Sequence, residues 1–202
     1  LYSGFSWKYD VVGIDNRFVS ERVNELKRRK IKFVQADILD KKSIEPFIKE
    51  ADFVHHLAGI TDVAYVKKDS DKEKDTLTKK VAVVGTANVL STMNDSATIV
   101  FPSTHVVFEG LKKQKTEIDE KFKPIPNLEY SKGKFQSEKD LIDSRKNYII
   151  LRLGSVFGNS FDSTRVNIMP NLFSKVASSN GNIKLFGQGA QLKSLVSVKD
   201  VA

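Results

Sequence analysis

Short apolar runs recur along this chain, each followed by a stretch of helical periodicity, and that alternation limits the possible folds more than any single motif. The runs are Asp10-Val11-Val12-Gly13-Ile14-Asp15, Lys32-Phe33-Val34-Gln35-Ala36, Asp52-Phe53-Val54-His55-His56, Thr98-Ile99-Val100-Phe101 and Tyr148-Ile149-Ile150-Leu151-Arg152-Leu153. Helical patterns over residues 20–29, 43–49, 74–93 and 130–144 separate or follow them. Strands that alternate with helices pair in parallel, and the crossover helices cover both faces of the sheet. The expected fold is therefore α/β, a doubly wound parallel sheet. In the helix over 74–93, Val83, Ala87 and Leu90 fall on one face with Val84 beside them, and Gly85 permits a close contact. Past residue 160 the pattern changes. A helix is expected over 166–178, a short strand over 183–186, a turn at Gly187-Gln188-Gly189, and a strand passing into a helix at Val198-Lys199-Asp200-Val201-Ala202.

The chemistry is concentrated around the fourth run. Thr98-Ile99-Val100-Phe101 ends in Pro102-Ser103-Thr104, and hydroxyls just past the carboxyl end of a buried strand stand where open α/β sheets hold ligands. The next helical pattern opens with Tyr130-Ser131-Lys132-Gly133-Lys134, which sets Tyr130 and Lys134 one turn apart on one face. A phenol titrates near pH ~10, and an ammonium held close lowers that value by stabilising the phenolate. Tyr130 then becomes a group that moves a proton, with Thr104 hydrogen-bonding the same substrate oxygen. The competing reading is a solvated helix face, because tyrosine and lysine at this spacing arise easily in a lysine-rich chain.

Composition excludes several other chemistries. The 202 residues, 40% hydrophobic, are enough for one sizeable core. No cysteine is present, which removes disulfides, thiolate catalysis and cysteine-metal sites and is compatible with a reducing, cytoplasmic location. The three histidines include the adjacent pair His55-His56 but show no metal-ligand spacing, so no metal is expected, and the pair reads as buried and satisfied rather than catalytic. No apolar run reaches the ~20 residues of a membrane span, and no secretory pattern opens the chain. The net charge of +8 comes from lysines spread over solvated positions, without interleaved aromatics or a groove-reading motif, so no nucleic-acid partner is expected.

Three further positions read as cofactor contacts in a dinucleotide-binding unit. Asp15 closes the first run, where a carboxylate accepts hydrogen bonds from the adenosine ribose and repels a 2′-phosphate, favouring NAD over NADP. An Asp that merely opens a turn is the alternative there, and Arg17 is a group that would greet a 2′-phosphate. Ala58-Gly59 follows the third run, where a backbone must approach a cofactor closely. Residues 109–128 are polar and proline-bearing, a long loop of the kind that lines a site or is simply exposed.

In order, Asp15-Asn16, Asp37-Ile38, His56-Leu57-Ala58-Gly59, Val84-Gly85-Thr86, Ser103-Thr104, Tyr130 to Lys134, Arg152, Gly187-Gln188-Gly189 and Asp200-Val201-Ala202 resemble the extended short-chain dehydrogenase/reductase family, its NAD-dependent epimerase/dehydratase branch. The resemblance runs nearly end to end. It implies a Rossmann-like sheet over residues 1–160 binding NAD, and over 161–202 part of a substrate-binding region interleaved with the last strands. It further implies that Asp15 and Asn16 meet the adenosine ribose, that Asp37 and Ile38 face the adenine, and that Leu57, Ala58 and Gly59 pass the pyrophosphate and nicotinamide. Thr104, Tyr130 and Lys134 become the catalytic trio, Lys134 also holding the nicotinamide ribose. Thr104, Ser155 and Lys193 would touch a nucleotide-sugar substrate, and a homodimer through the helices over 74–93 and 130–144 is implied by analogy.

The departures from the family pattern also carry expectations. Both ends read as cut: the glycine-rich phosphate loop and first strand would precede Leu1, residues 1–8 would be the tail of the helix that loop opens, and a carboxyl-terminal portion would follow. Ala82 stands where many members carry asparagine, and Phe108-Glu109-Gly110 replaces the usual tyrosine-glycine. Dehydratases of the family follow the threonine with Asp-Glu, here His105-Val106, which disfavours elimination. The resemblance thus implies oxidation or reduction at a sugar carbon, epimerisation through a ketone first. A ketone or aldehyde reductase on a non-sugar substrate and a non-catalytic dinucleotide sensor are the alternatives.

Overall fold

The computed structural model describes residues 8–61, 71–113, 115–159, 166–185 and 187–202, and the expectation for the helical tail before residue 8 lies outside them. Along these residues run β1 (Val12–Asp15), α1 (Ser20–Arg28), β2 (Lys32–Gln35), α2 (Lys41–Ile48), β3 (Phe53–His55), α3 (Lys72–Thr92) and β4 (Thr98–Thr104). There follow α4 (Glu129–Asp143), β5 (Asn147–Leu153), β6 (Ser155–Phe157), α5 (Met169–Ser178), β7 (Leu195–Ser197) and α6 (Val198–Val201). Every strand pairing is parallel, as the alternation of strand and helix requires. The pairings form three ladders, β1-β2, β3-β4-β5 and β6-β7, and among the described residues none joins β1 to β3.

β4 is the centre of the core. Ile99 and Phe101 are fully buried on one face and pack with Ile44 and Ile48 of α2, Val89 and Leu90 of α3, Met93, Ala97 and Leu141 of α4. Each such side chain removed from water contributes about 1.5–3 kcal/mol. The strand runs three residues beyond the four-residue run, because Pro102, Ser103 and Thr104 keep register with Leu151, Arg152 and Leu153 of β5. Pro102 is tolerated there for a geometric reason. Thr98 donates towards β3 and Val100 accepts from His56, so even-numbered residues of β4 face β3, whose ladder has ended before Pro102. The missing proline N–H is not needed, and the Pro102 carbonyl is left for another donor.

Three expectations need correction. In α3 the buried face is Thr78, Gly85, Thr86, Val89, Leu90 and Thr92, while Val84 and Ala87 are exposed. The buried hydroxyls explain the shift, since Thr86 is bonded across the helix pair and draws that face inward. Gly85 does make a close contact: a Cβ there would come within 3.1 Å of the Ile38 side chain. The cover of the sheet is incomplete at β5, where Tyr148, Ile149 and Leu151 are exposed. Finally, residues 181–185 form no strand. Ile183 and Leu185 are exposed and no strand edge is paired with them, and Phe186 lies outside the described residues.

Candidate active site

α4 starts at Glu129 although Leu128 before it has no side chain able to cap a helix. Glu109 does that work from the loop after β4. Its Oε1 accepts the backbone N–H groups of Asn127 at 2.8 Å and Leu128 at 2.6 Å, and the Ser131 hydroxyl. A carboxylate at a helix N-terminus satisfies orphan donors and complements the helix dipole. The altered Phe108-Glu109-Gly110 segment therefore has a role, anchoring the turn that carries Tyr130. Pairing of Gly110 with Ile125 and of Ile125 with Val107 fastens the same loop.

Lys134 is 7% exposed. Its Nζ donates to the Pro102 carbonyl at 2.9 Å and lies 4.5 Å from the Phe101 ring centroid. Burial lowers its pKa to about 8, an effect the carboxylate of Glu138 opposes. Tyr130, Lys134, Ala58, Gly59, His56 and Thr78 are among the residues lining one small cavity between α3, α4 and the exit of β3. A Cβ on Gly59 would sit 3.9 Å from Lys134 Nζ, an ordinary contact distance that places this glycine directly beside the amine. Ala82 is small for a packing reason, since a Cβ on Gly133 would lie 3.0 Å from the Ala82 Cβ where α3 and α4 cross.

Behind the cavity lies a hydroxyl network. Thr86 donates to the Ala82 carbonyl at 2.5 Å, so the His56 Nε2 that meets its oxygen at 2.9 Å carries the hydrogen. Ser137 reaches the same carbonyl at 2.9 Å. His56 is 3% exposed, and burial together with the Lys134 charge pushes its pKa down to about 3. It is a neutral, satisfied histidine. The Thr78 hydroxyl is different: it is buried without a hydrogen-bond partner among the described residues.

Most of the other expected positions stand at or just past the carboxyl ends of their own strands. Asp15 ends β1 with its carboxylate accepting the Arg17 N–H at 2.9 Å and its side chain 43% exposed. The Asn16 carbonyl accepts from Gln35 at 3.1 Å. Asp37 holds the Leu39 N–H at 2.8 Å, and the Ile38 side chain is turned onto α3 while its carbonyl accepts from Asn88 at 2.9 Å. Leu57 is exposed beyond β3. Thr104 is 7% exposed at the end of β4, its Oγ1 accepting the Val106 N–H at 3.2 Å, but it does not line the cavity of Tyr130 and Lys134. Ser155 opens β6 and donates its N–H to the Ser194 carbonyl at 2.8 Å, beside Lys193. His105 joins this end of the sheet. Its Nδ1 donates to the Leu153 carbonyl at 3.1 Å, and burial, aided by the Lys193 charge, lowers its pKa below the usual value.

The sequence reading missed Glu138, and it noted Ser103 as a hydroxyl at the ligand edge and Glu109 as part of an altered loop without finding their partners. Glu138 is 1% exposed. It stands four residues after Lys134 and eight after Tyr130, so helical spacing alone puts an anion on the same face. Glu109 has no comparable signal, since its partner turn is 18 residues away.

The sequence profile of the NAD dependent epimerase/dehydratase family matches residues 4–202, and the chain belongs to that family. A Methanocaldococcus jannaschii protein assigned provisionally as a UDP-glucose 4-epimerase is 28% identical over 201 residues, 96% of this chain and 63% of the relative. UDP-glucose 4-epimerase from Thermotoga maritima, solved with UDP-glucose, superposes with a TM-score of 0.78 at 22% identity, over 97% of this chain and 64% of that one. dTDP-glucose 4,6-dehydratase from Bacillus anthracis, solved with NAD, gives 0.79 at 18% identity, over 99% and 63%. The chain thus spans somewhat less than two thirds of the length of these relatives, and the parallel α/β fold expected from the strand and helix pattern is theirs.

Proposed function

We propose that this chain carries the cofactor site and proton-transfer groups of an NAD-dependent nucleotide-sugar epimerase, which oxidises a sugar hydroxyl to a ketone and restores it with the opposite configuration. One observation carries the reading: Tyr130 and Lys134, one turn apart on α4, line a cavity with Ala58 and Gly59 beyond the carboxyl end of β3. The residues present fit the cofactor. Asp15 and Asn16 offer polar groups for the adenosine ribose, Asp37 and Ile38 would flank the adenine, and past Leu57 the small residues Ala58 and Gly59 line the cavity with Lys134. Bound NAD would supply the hydride acceptor and donor.

The chain's own residues handle the proton. Below a pKa of about 8, Lys134 is an ammonium that stabilises the Tyr130 phenolate. Tyr130 takes the hydroxyl proton as the carbon is oxidised and returns it on reduction, while Thr104 hydrogen-bonds the reacting oxygen. Ser155 and Lys193 touch the substrate further out. His105 supports epimerisation over elimination, because it stands where the family's dehydratases carry the first residue of their Asp-Glu pair, and its Nδ1–H is committed to the Leu153 carbonyl. Residues 1–160 form the cofactor unit and 161–202 begin the substrate-binding region, in a cytoplasmic homodimer joined through α3 and α4. Exposed Leu77 and Val84 on α3 and Ile142 on α4 support that contact.

Tyr130→Phe in the full-length protein, assayed by NMR on a panel of UDP- and dTDP-sugars, is expected to lose at least ~100-fold in turnover. Turnover within a few-fold of wild type would sink the mechanism. Stoichiometric consumption of reduced cofactor by the wild type would replace epimerisation with simple reduction.

A further inference from the structure

The buried polar network beneath the candidate trio contains one ion pair that the proton transfer does not use. Glu138 is 1% exposed in the middle of α4. Arg152 of β5 grips its carboxylate side-on, Nη2 reaching Oε2 at 2.7 Å and Nε lying 3.1 and 3.2 Å from the two oxygens. Ser103 donates its hydroxyl to Oε1. Arg152 is in turn oriented by the Glu120 carbonyl at 3.3 Å and by the Phe108 ring, 5.4 Å from its guanidinium carbon.

The attachment points on β4 are consecutive. Lys134 Nζ donates to the Pro102 carbonyl, and Glu138 receives the hydroxyl of Ser103, the next residue. The residue after that is Thr104. One carboxylate therefore ties α4, β4 and β5 together at the level where Lys134 and Thr104 are held, and it lies one helical turn from the amine.

We propose that the Glu138–Arg152 pair positions Lys134 electrostatically, Glu138 holding the amine in its ammonium form and Arg152 limiting that pull. The proposal rests on the reading of Lys134 as the partner of Tyr130, but the property it concerns belongs to Lys134 itself. Desolvation drives the amine towards its neutral form, and Glu138 is the anion that opposes this. The surroundings offer few other sources of charge among the described residues. From β3 the facing group is His56, neutral at physiological pH. From α3 the cavity receives Thr78, Ala82 and Thr86, none of which titrates, with Lys79 at the crossing beside Gly133. β4 contributes Phe101, the Pro102 carbonyl and Ser103, α4 itself contributes Tyr130, and β5 contributes Arg152 through Glu138. Without Arg152, Glu138 would be an unshared buried anion beside the amine.

The two halves of the pair must then act in opposite directions. In the full-length protein labelled with ¹⁵N at the lysine Nζ, the Lys134 signal, assigned by its loss in Lys134→Arg, is titrated directly. Glu138→Gln keeps an oxygen for Ser103 and Arg152 but removes the charge, and the Lys134 midpoint is expected to fall by about one pH unit. Arg152→Gln keeps a donor and removes the opposite charge, and the midpoint is expected to rise by about half a unit. The limb of the pH–rate profile governed by Lys134 should move with each. A merely structural clamp would leave the midpoint where it is in both variants, and that result, or shifts of the same sign, overturns the proposal. If Glu138→Gln does not fold, Arg152→Gln decides by itself: an alkaline shift supports the proposal, and no shift or an acid one ends it. Because the titration needs no turnover, a failure of the epimerase reading in the Tyr130→Phe assay stays separate from a failure here.

Discussion

The region around Lys134 and the region from residue 166 onwards are written in similar sequence patterns and fold to different degrees of burial. In the first, α3, α4 and β4 bury Thr86, Ser131, Ser137, Glu138 and Lys134, and nearly every polar atom is held by a named partner. In the second, α5 and α6 contain no buried residue, and Ile183, Leu185 and Leu192 are exposed. α5 is nevertheless a good helix, opened by Pro170 in its first turn and followed by Ser179. Amphipathic pattern is enough to make a helix. Fixing a side chain to within an ångström takes a second and third element, and only the first region has them among the described residues.

The comparison breaks most visibly in stability. Leu141, wholly buried between α4 and the β4 core, should cost about 2–5 kcal/mol on replacement by alanine. Leu172, 40% exposed on α5, should cost under ~1 kcal/mol. Urea denaturation of the two variants measures the gap, and equal losses would mean that the second region is packed as tightly as the first.

Lys134→Met tests the same contrast in charge. A buried lysine with a pKa of about 8 destabilises the fold below that pH, where the native amine is charged and desolvated. The penalty disappears as pH rises from about 8 towards the ordinary lysine value near ~10.4, because the native state sheds its proton first. Lys134→Met is therefore expected to abolish turnover yet raise stability at pH 7 by on the order of 2–3 kcal/mol, with the gain shrinking above pH 8. Thermal melts from pH 7 to 10 check it, and a pH-independent gain would show that packing rather than charge is responsible.

These contrasts also separate what could be read in the sequence from what could not. Strand and helix order was legible because β-rich runs and helical spacing are local properties, and Tyr130 and Lys134 were legible because they stand on one helix face. Gly85 was read as permitting a close contact and Ala82 as replacing an asparagine, but what they touch, Ile38 and Gly133, depends on packing between elements distant in the chain. The buried face of α3 was misread for a related cause: it includes Thr78, Thr86 and Thr92, of which Thr86 is bonded to His56 and Ser137, and no hydrophobic period reveals such a face. Residues 183–186 had a strand's composition, yet a strand also needs an edge to pair with.

Glu109 is where the missed information has a kinetic consequence. It holds the first turn of α4 from across the loop, so Glu109→Ala should free two backbone donors and the Ser131 hydroxyl. A loss of about 1–3 kcal/mol is expected, along with about a tenfold fall in kcat from a less well placed Tyr130. Glu109→Gln, which keeps the acceptor, should recover most of both. If the alanine variant lost stability without any change in kcat, the cap would be structural only and Tyr130 would be positioned by the body of α4.

The smallest expected effect concerns Thr78, whose hydroxyl is buried and has no partner among the described residues, beside a cavity that Tyr130 and Lys134 also line. Valine has the same shape without the oxygen, so Thr78→Val removes a desolvated polar atom and should stabilise the free protein by about 0.5–1 kcal/mol. That gain would make Thr78 the exception in its region, a polar group kept at a cost to the fold. Its kinetics then decide why it is kept. An unchanged kcat/KM, measured with the stability, would assign the hydroxyl no part in binding. A several-fold rise in the KM for NAD, with kcat untouched, would mean that the oxygen is satisfied only when the cofactor site is filled, and that the region's rule of paired polar atoms holds in the complex as well.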